Sequence, residues 1–193
     1  MRKSSSLQAT CRSPARAHAG LVRSVRKGDI KMHYVYWVFK DDQYPERKLG
    51  GRRGPSRVPW DPAELYEGGI RTVITVASEV HVGDLESYGL LHHRVRFPPL
   101  PFMLPPSQKA FVQRATPVLK FIHQQLEAQR PTLVHCHDGD DRTGIILAAY
   151  LVVYQGLTPK AAVQHVRAVN PSAMKMPGYA ATVRQFRRRR SSE

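Results

Sequence analysis

Acidic residues are missing from long stretches of this 193-residue chain, which has 30 Lys and Arg against 15 Asp and Glu. None precedes Asp29, and none occurs between Glu86 and Glu127. The net charge of +15 suits phosphate-rich partners such as nucleic acid, anionic lipid or a phosphorylated substrate. Because much of the excess charge lies in the two ends of the chain, we interpret it as a basic surface with basic tails, and nucleic-acid binding is not expected.

Cysteine and long apolar runs are also scarce. Cys11 and Cys136 are the only cysteines, too few for a disulfide scaffold, and a lone cysteine beside histidines indicates a reducing compartment and a chemical role. No window reaches the apolar length of a transmembrane helix. We therefore expect a cytoplasmic protein without a transmembrane segment, and the sequence leaves the oligomeric state open.

The two ends of the chain differ in composition from its centre. Residues 1–31 are rich in Ser, Ala and Arg without an apolar period, which predicts a disordered basic extension. The same acid-free composition also fits an organelle transit peptide, and Met32 leaves room for a start codon assigned too early. We predict one domain over residues 32–190 and a short tail over residues 191–193.

Short β-rich runs alternate with helical patterns inside this domain. Strands are predicted over the ranges 34–39, 70–76, 90–97 and 131–136, with residues 49–60 as a loop. Helices are predicted after the caps Asp61, Ser107 and Thr158, over the buried run 143–155, and from Pro177 into the arginine run 187–190. This order predicts an α/β fold with a central, largely parallel sheet of about four to five strands flanked by helices.

Residues 132–144 read Thr-Leu-Val-His-Cys-His-Asp-Gly-Asp-Asp-Arg-Thr-Gly, and an apolar run follows at once. A strand, a tight loop and a helix in this order direct free backbone N–H groups and the helix dipole at one point, which makes an anion site. Cys136 lies at its floor, where these groups favour the nucleophilic thiolate. Arg142 can hold two phosphoryl oxygens with its planar fork. We predict removal of a phosphate through a covalent phosphocysteine.

The remaining loop residues have supporting roles in this interpretation. The phosphate is predicted to be surrounded by His137, Asp138, Gly139, Asp140, Thr143 and Gly144. We expect Thr143 to donate its hydroxyl to the sulfur and His135 to fix the loop through its ring nitrogens. The leaving oxygen needs a proton from a carboxylic acid, and the loop offers Asp138, Asp140 and Asp141.

The run from His135-Cys136 to Arg142-Thr143-Gly144 resembles the signature His-Cys-x5-Arg-[Ser/Thr]-Gly of the cysteine-based protein tyrosine phosphatase superfamily. The size and element order resemble its compact dual-specificity branch. The resemblance implies a protein tyrosine phosphatase-like fold, phosphomonoester hydrolysis without metal or cofactor, Cys136 as nucleophile and Arg142 as phosphate binder. It implies a phosphorylated protein as substrate, with a phosphoinositide or other phospholipid as the alternative; the three carboxylates of the loop argue against a polyanionic head group.

The chain departs from the dual-specificity pattern at the general acid. That branch carries the acid as an aspartate in a proline-rich loop, and here residues 97–102 read Phe-Pro-Pro-Leu-Pro-Phe, with Pro101 at the aspartate's position. The ending Asp-Arg-Thr resembles myotubularin-type and bacterial lipid-acting members, whose acid directly precedes the arginine, and this implies Asp141. The glutamine that orients water in the family has its nearest equivalent in Tyr179, with Gln185 as a second candidate.

Two other classes of site stay open at this point. His135, His137 and the three aspartates crowd together as metal ligands do, but the spacings match neither a His-based hydrolase pattern nor a calcium loop, so no metal is expected. A non-catalytic module that binds phosphate or nucleic acid would explain the missing upstream aspartate. Arg52, Arg53 and Arg57 form a basic loop that is either solvated or recruits anionic substrate.

Overall fold

The computed structural model describes residues 35–187. The predicted N-terminal extension, Tyr34 of the first predicted strand, residues 188–190 and the tail lie outside the described residues. Five strands form the sheet: β1 (Tyr36–Lys40), β2 (Lys48–Arg52), β3 (Thr72–Thr75), β4 (Leu91–Arg94) and β5 (Thr132–His135). Five helices accompany them: α1 (Pro62–Glu67), α2 (Pro105–Glu127), α3 (Asp141–Val153), α4 (Pro159–Val169) and α5 (Tyr179–Thr182). Short 3₁₀ turns cover Glu86–Tyr88 and Val183–Gln185.

The sheet has the order β1-β2-β5-β3-β4. β5 pairs in parallel with both β2 and β3, β4 is parallel to β3, and β1 is antiparallel to β2. The prediction of a largely parallel sheet flanked by helices is therefore confirmed. Because the carboxyl ends of parallel strands meet at one edge, the loops after β2, β3 and β5 lie together there.

Alternate residues of the strands divide the apolar core between the two faces of the sheet. Ile74 and Val134 point to the larger cluster, which contains the buried side chains of α2 and α3. Val73 and Leu133 point to a smaller cluster that includes Leu65 of α1. The apolar run after the signature forms α3, in which every residue from Arg142 to Val152 is buried. This central helix fixes the loop that precedes it.

The prediction that residues 49–60 form only a loop is wrong, because Lys48–Arg52 is strand β2 in the interior of the sheet. Gly50 and Gly51 weaken the strand pattern of the sequence. A Cβ on Gly51 would lie 2.4 Å from Cζ of Tyr36, and one on Gly50 would lie 2.9 Å from Cε3 of Trp37. The two glycines leave room for the aromatic side chains of β1.

Three helix boundaries also differ from expectation. α2 begins at Pro105 after Leu104, so Ser107 lies inside the helix and does not cap it. α3 begins at Asp141, two residues before the predicted start. The last helix does not reach the arginine run as a single helix, because the buried Phe186 adopts an extended backbone after the 3₁₀ turn.

No helix within residues 35–187 combines the length and apolar character needed to cross a membrane. The cytoplasmic location stays a prediction.

Candidate active site

The loop between β5 and α3 holds the predicted nucleophile at its base. Cys136 directly follows β5 and is 2% exposed. The backbone N–H of Gly139 donates to Cys136 Sγ over 3.3 Å. α3 begins two residues after Gly139, so its free amide groups and its dipole face the same loop. The backbone therefore provides an anion site around the sulfur.

Neighbouring segments hold this loop from two sides. The backbone N–H of Gly54 donates to His137 O over 2.9 Å, and the hydroxyl of Tyr36 donates to Gly139 O. Gly139 has a φ of +77°, and a Cβ there would lie 2.5 Å from Arg52 O. Only glycine combines this left-handed backbone with so close an approach to β2.

His135 joins β3 to the loop through both ring nitrogens. Its Nε2 lies 2.7 Å from Thr75 Oγ1, and its Nδ1 lies 3.1 Å from Cys136 O. Burial lowers the pKa of His135 to about 3, so the ring is neutral at physiological pH. The ring thus positions the backbone of Cys136, as the sequence led us to expect.

The guanidinium of Arg142 is held by a carboxylate from the loop after β3. Its Nη1 and Nη2 donate to Glu79 Oε2 and Oε1 over 2.9 and 2.6 Å, and Nη1 also donates to Phe97 O over 3.0 Å. Arg142 is 7% exposed. The sequence pattern does not single out Glu79, although its position shortly after a parallel strand is the signal that could have found it.

The three aspartates of the loop have different surroundings. Asp138 accepts from Arg57 Nε over 2.7 Å and lies 3.1 Å from His137 Nδ1. Partial burial opposes the ionisation of Asp138, but the hydrogen bonds from His137 and Arg57 outweigh it and hold the pKa of Asp138 below its usual value.

Asp140 and Asp141 have different hydrogen-bond partners. Asp140 Oδ1 accepts from Asn170 Nδ2 over 3.0 Å and from Ser172 Oγ over 2.9 Å, which ties the loop to the segment after α4. Asp141 is half-buried, and its Oδ1 accepts from the backbone N–H of Met176 over 3.4 Å. Burial raises the pKa of Asp141, and the charge of Asp140 adds to this effect against the opposing Met176 N–H.

A cleft of about 360 Å³ opens above the sulfur. It is lined by Pro99, Leu100, Pro101, Cys136, Asp138, Asp141, Arg142, Met176 and Tyr179. The proline-rich loop therefore reaches the predicted nucleophile with Pro101 at the cleft. A smaller, mostly apolar pocket of about 210 Å³ adjoins it and shares Leu100, Arg142 and Tyr179 with it.

Of the two residues considered as equivalents of the family glutamine, Tyr179 lines the cleft and donates its hydroxyl to Leu100 O over 2.7 Å. Gln185 instead donates to Gln108 Oε1 over 2.7 Å and is not among the residues that line the cleft.

Thr143 and Gly144 lie in the first turn of α3. Thr143 is fully buried, and within residues 35–187 its hydroxyl has no hydrogen-bond partner. Its donation to the sulfur stays a prediction. A Cβ on Gly144 would lie 2.9 Å from Cγ of Met174, so this glycine allows α3 to approach the segment after α4.

The basic loop after β2 does not act as one unit. Arg52 is 4% exposed, donates to Pro59 O over 3.1 Å and lies beside the ring of Trp60. Both predictions for Arg52, a solvated residue and a rim residue that recruits substrate, are therefore wrong. Arg53 and Arg57 are exposed, and Arg57 forms the ion pair with Asp138. In the part of the chain that the structure describes, no group of three or more His, Cys, Asp and Glu side chains is arranged to hold a metal ion.

Comparison with solved structures reveals the same fold at low sequence identity. Tk-PTP in its active form superposes with a TM-score of 0.59 at 19% identity, covering 79% of this chain and 94% of that one. Human DUSP28 gives 0.61 at 18% identity, covering 79% and 91%. PTPMT1 in complex with PI(5)P gives 0.57 at 15% identity, covering 72% and 90%.

Sequence comparison finds two relatives from Arabidopsis thaliana. The phosphatidylglycerophosphate phosphatase PTPMT1 is 29% identical over 159 residues, which are 80% of this chain and 43% of the relative. The phosphatidylglycerophosphate phosphatase PTPMT2 is 27% identical over 167 residues, 84% of this chain and 67% of the relative. This chain therefore spans less than half the length of the first of them.

The family described as dual specificity phosphatase, catalytic domain, matches residues 62–189. This range includes β3 to β5, all five helices, Glu79 and the complete loop from His135 to Gly144. The match covers more than half of the chain. The chain therefore belongs to the dual specificity phosphatase catalytic domain family, within the cysteine-based protein tyrosine phosphatase superfamily.

Proposed function

We propose that this chain hydrolyses phosphomonoesters through a phosphocysteine intermediate on Cys136. The observation that carries the proposal is the meeting of three groups in one cleft: the sulfur of Cys136, the Gly139 N–H directed at it, and the Arg142 guanidinium. Together they supply a nucleophile and positive charge for the oxygens of a phosphoryl group. We also assign His137 and the backbone of the loop to phosphate binding, although His137 is not among the residues that line the cleft.

In the first step the Cys136 thiolate attacks phosphorus. An S–P bond forms, the bond from phosphorus to the ester oxygen breaks, and the leaving oxygen takes a proton from a carboxylic acid. Arg142 binds two of the remaining oxygens in the transition state, where negative charge accumulates. The bidentate contact with Glu79 orients the guanidinium before substrate arrives.

Asp141 is the acid that we assign to this step. It lies in the cleft with Cys136, and its raised pKa favours the protonated form that an acid needs. The low pKa of Asp138 keeps that group ionised, and the contacts of Asp140 with Asn170 and Ser172 commit it to holding the loop. Pro101 leaves the upstream loop without an ionisable group at this point.

In the second step water attacks phosphorus and the S–P bond breaks. The Asp141 carboxylate, now ionised, takes a proton from the water, and the sulfur leaves as a thiolate. The buried hydroxyl of Thr143 is the donor that we assign to the departing sulfur. We assign the orientation of the attacking water to Tyr179, which lines the cleft.

The family and its relatives support two candidate substrate classes. A phosphorylated tyrosine, serine or threonine of a protein is the first candidate, since the chain belongs to the dual specificity family. A phospholipid phosphomonoester is the second candidate, favoured by the two Arabidopsis relatives, whose names give phosphatidylglycerophosphate as the substrate. The ion pair of Arg57 with Asp138 offsets one of the three carboxylates that argued against an anionic head group.

Turnover of p-nitrophenyl phosphate by the full chain, with a metal chelator present, tests the activity. We expect the wild type to turn over, Cys136→Ser to fall to background, and vanadate to inhibit competitively. Rapid quenching of a ³²P-labelled substrate should trap acid-stable label on the wild type alone. A folded wild type that binds vanadate without turnover would instead identify a non-catalytic phosphate-binding module.

A further inference from the structure

Three large apolar side chains are exposed beside the cleft. Phe102 is 50% exposed, Leu104 57% and Met176 41%. We call these three residues the apolar ridge. Isolated exposed apolar residues are common on soluble proteins, but adjacent ones beside a site indicate a surface that meets an apolar partner.

The two loops that carry the apolar ridge are joined to each other. The backbone N–H of Met103 donates to Pro177 O over 2.9 Å, and Gln108 Nε2 donates to Met103 O over 2.9 Å. A Cβ on Gly178 would lie 2.1 Å from Met103 O, so the two backbones approach as closely as glycine allows. The ridge is therefore a single feature of the surface, although its residues are far apart in sequence.

The same two loops form one wall of the cleft. Pro99, Leu100 and Pro101 from the first and Met176 from the second line it together with Cys136. A partner that covers the ridge therefore lies at the mouth of the cleft, within reach of the nucleophile.

The segments that carry the ridge bear basic side chains and no acidic ones, although Asp141 of the adjoining cleft accepts from the backbone N–H of Met176. No acidic residue occurs between Glu86 and Glu127, or between Asp141 and Glu193. Exposed basic side chains lie on the same segments: Lys109 and Arg114 on α2 and Lys175 beside Met176. Exposed apolar side chains flanked by basic ones are the combination that binds an anionic lipid surface, because insertion and electrostatic attraction add.

We propose that the apolar ridge seats this protein on an anionic bilayer, so that its phosphomonoester substrate reaches Cys136 from a lipid surface. The inference rests on the proposed function and takes a phospholipid phosphomonoester as the substrate. An anionic bilayer is favoured over a protein partner because the exposed Lys109, Arg114 and Lys175 flank the ridge.

Sedimentation of the full chain with phosphatidylcholine vesicles, with and without phosphatidylglycerol, tests the proposal. We expect the wild type to prefer the anionic vesicles and the double variant F102S/L104S to lose about tenfold or more in partitioning, since two large apolar groups no longer leave water. Tyr88→Ser is the matched control. Tyr88 is 47% exposed but precedes β4, at the sheet edge opposite the cleft, so this variant should bind as the wild type does.

Turnover separates the ridge from the active site. Phe102 and Leu104 do not line the cleft, so F102S/L104S should hydrolyse p-nitrophenyl phosphate at the wild-type rate and lose turnover of phosphatidylglycerophosphate in vesicles. Equal vesicle binding by wild type and double variant would overturn the proposal, as would a double variant that loses only phosphopeptide turnover. A wild type without p-nitrophenyl phosphatase activity refutes the proposed function, while the binding comparison still decides whether the ridge meets lipid.

Discussion

Arg142 and Glu79 form a bidentate ion pair whose two N–O distances are 2.9 and 2.6 Å, although 63 residues separate them in sequence. Glu79 reaches the site from the loop after β3, and Arg142 from the first turn of α3. The pair fixes the plane of the guanidinium. The side chain of Arg142 is 8% exposed and that of Glu79 is 32% exposed. Glu79 is thus a positioning residue for the proposed phosphate binder.

Glu79→Gln should lower kcat/KM for p-nitrophenyl phosphate by about 10²-fold, because a misoriented Arg142 no longer matches the transition state. Hydrogen bonds from Arg142 outweigh partial burial and hold the pKa of Glu79 below its usual value. The pair is therefore intact above the ordinary pKa of glutamate and is lost only as pH falls through the lower, folded value. The ratio of wild-type to variant rate should be constant between about pH 5 and 8.

Glu127→Gln is the matched control for that measurement. Glu127 also accepts from an arginine, Arg47, over 2.9 Å, but it ends α2 at the sheet edge opposite the cleft. Its variant should keep the wild-type rate. A Glu79→Gln enzyme with unchanged vanadate affinity and unchanged kcat would contradict the positioning role.

Asp141→Asn should separate substrates by their leaving groups. Hydrolysis of alkyl phosphates should fall by about 10²- to 10⁴-fold, because a poor leaving group needs the proton that Asp141 supplies. An aryl phosphate with an acidic leaving group should lose far less. The wild-type rate on alkyl phosphates should fall as pH rises through the raised pKa of Asp141, and the variant should lack this descending limb.

The control for this prediction is Asp138→Asn, whose carboxylate lies in the same cleft but is paired with Arg57. It should change the rates on both substrates by the same factor. Equal losses on alkyl and aryl phosphates in Asp141→Asn would assign the proton to another group.

The sequence predicted the fold class and the β5–loop–α3 unit because these depend on local signals. A β-rich run, a glycine and a continuous apolar run are readable without knowledge of the partners that they pack against. The strand β2 was missed because Gly50 and Gly51 are explained by Tyr36 and Trp37 of another strand. Its pattern has meaning only in the assembled sheet, where tertiary packing overrides strand propensity.

In the candidate site, too, the residues that are contiguous in sequence were predicted and those that meet only in space were not. The signature residues were identified because they are contiguous, whereas Glu79 was missed because its only link to Arg142 is spatial. The resemblance implied Asp141 as the acid, but the residue pattern by itself offered Asp138, Asp140 and Asp141 alike. Their differences arise from Arg57, Asn170, Ser172 and Met176, which come from the segments after β2 and α4.

Gly139→Ala should disable the loop. The methyl group would meet Arg52 O at 2.5 Å, in addition to the cost of about 1–2 kcal/mol for a left-handed backbone at a residue with a side chain. We expect loss of p-nitrophenyl phosphatase activity and a reduced free energy of unfolding in urea. Gly83→Ala is the control, since Gly83 has a φ of +68° with no atom within 4 Å of the added carbon. If both variants lose equal stability and keep activity, the close contact with β2 is unimportant.

His135 should make the stability of the fold depend on pH. The unfolded chain binds a proton at this histidine near the ordinary pKa of about 6.5, whereas the folded protein resists it down to about 3. Its contribution is therefore complete above pH 6.5 and is lost as pH falls, at about 1.4 kcal/mol per pH unit. Urea unfolding of His135→Asn at a series of pH values should show a shallower decline in the free energy of unfolding towards low pH than the wild type shows, whatever the absolute stability of the variant.

The control is His92→Asn. Burial also lowers the pKa of His92, which shares Thr75 with His135, so this variant measures the smaller effect of the neighbouring ring. An unchanged slope in His135→Asn would mean that the buried ring is protonated in the folded protein.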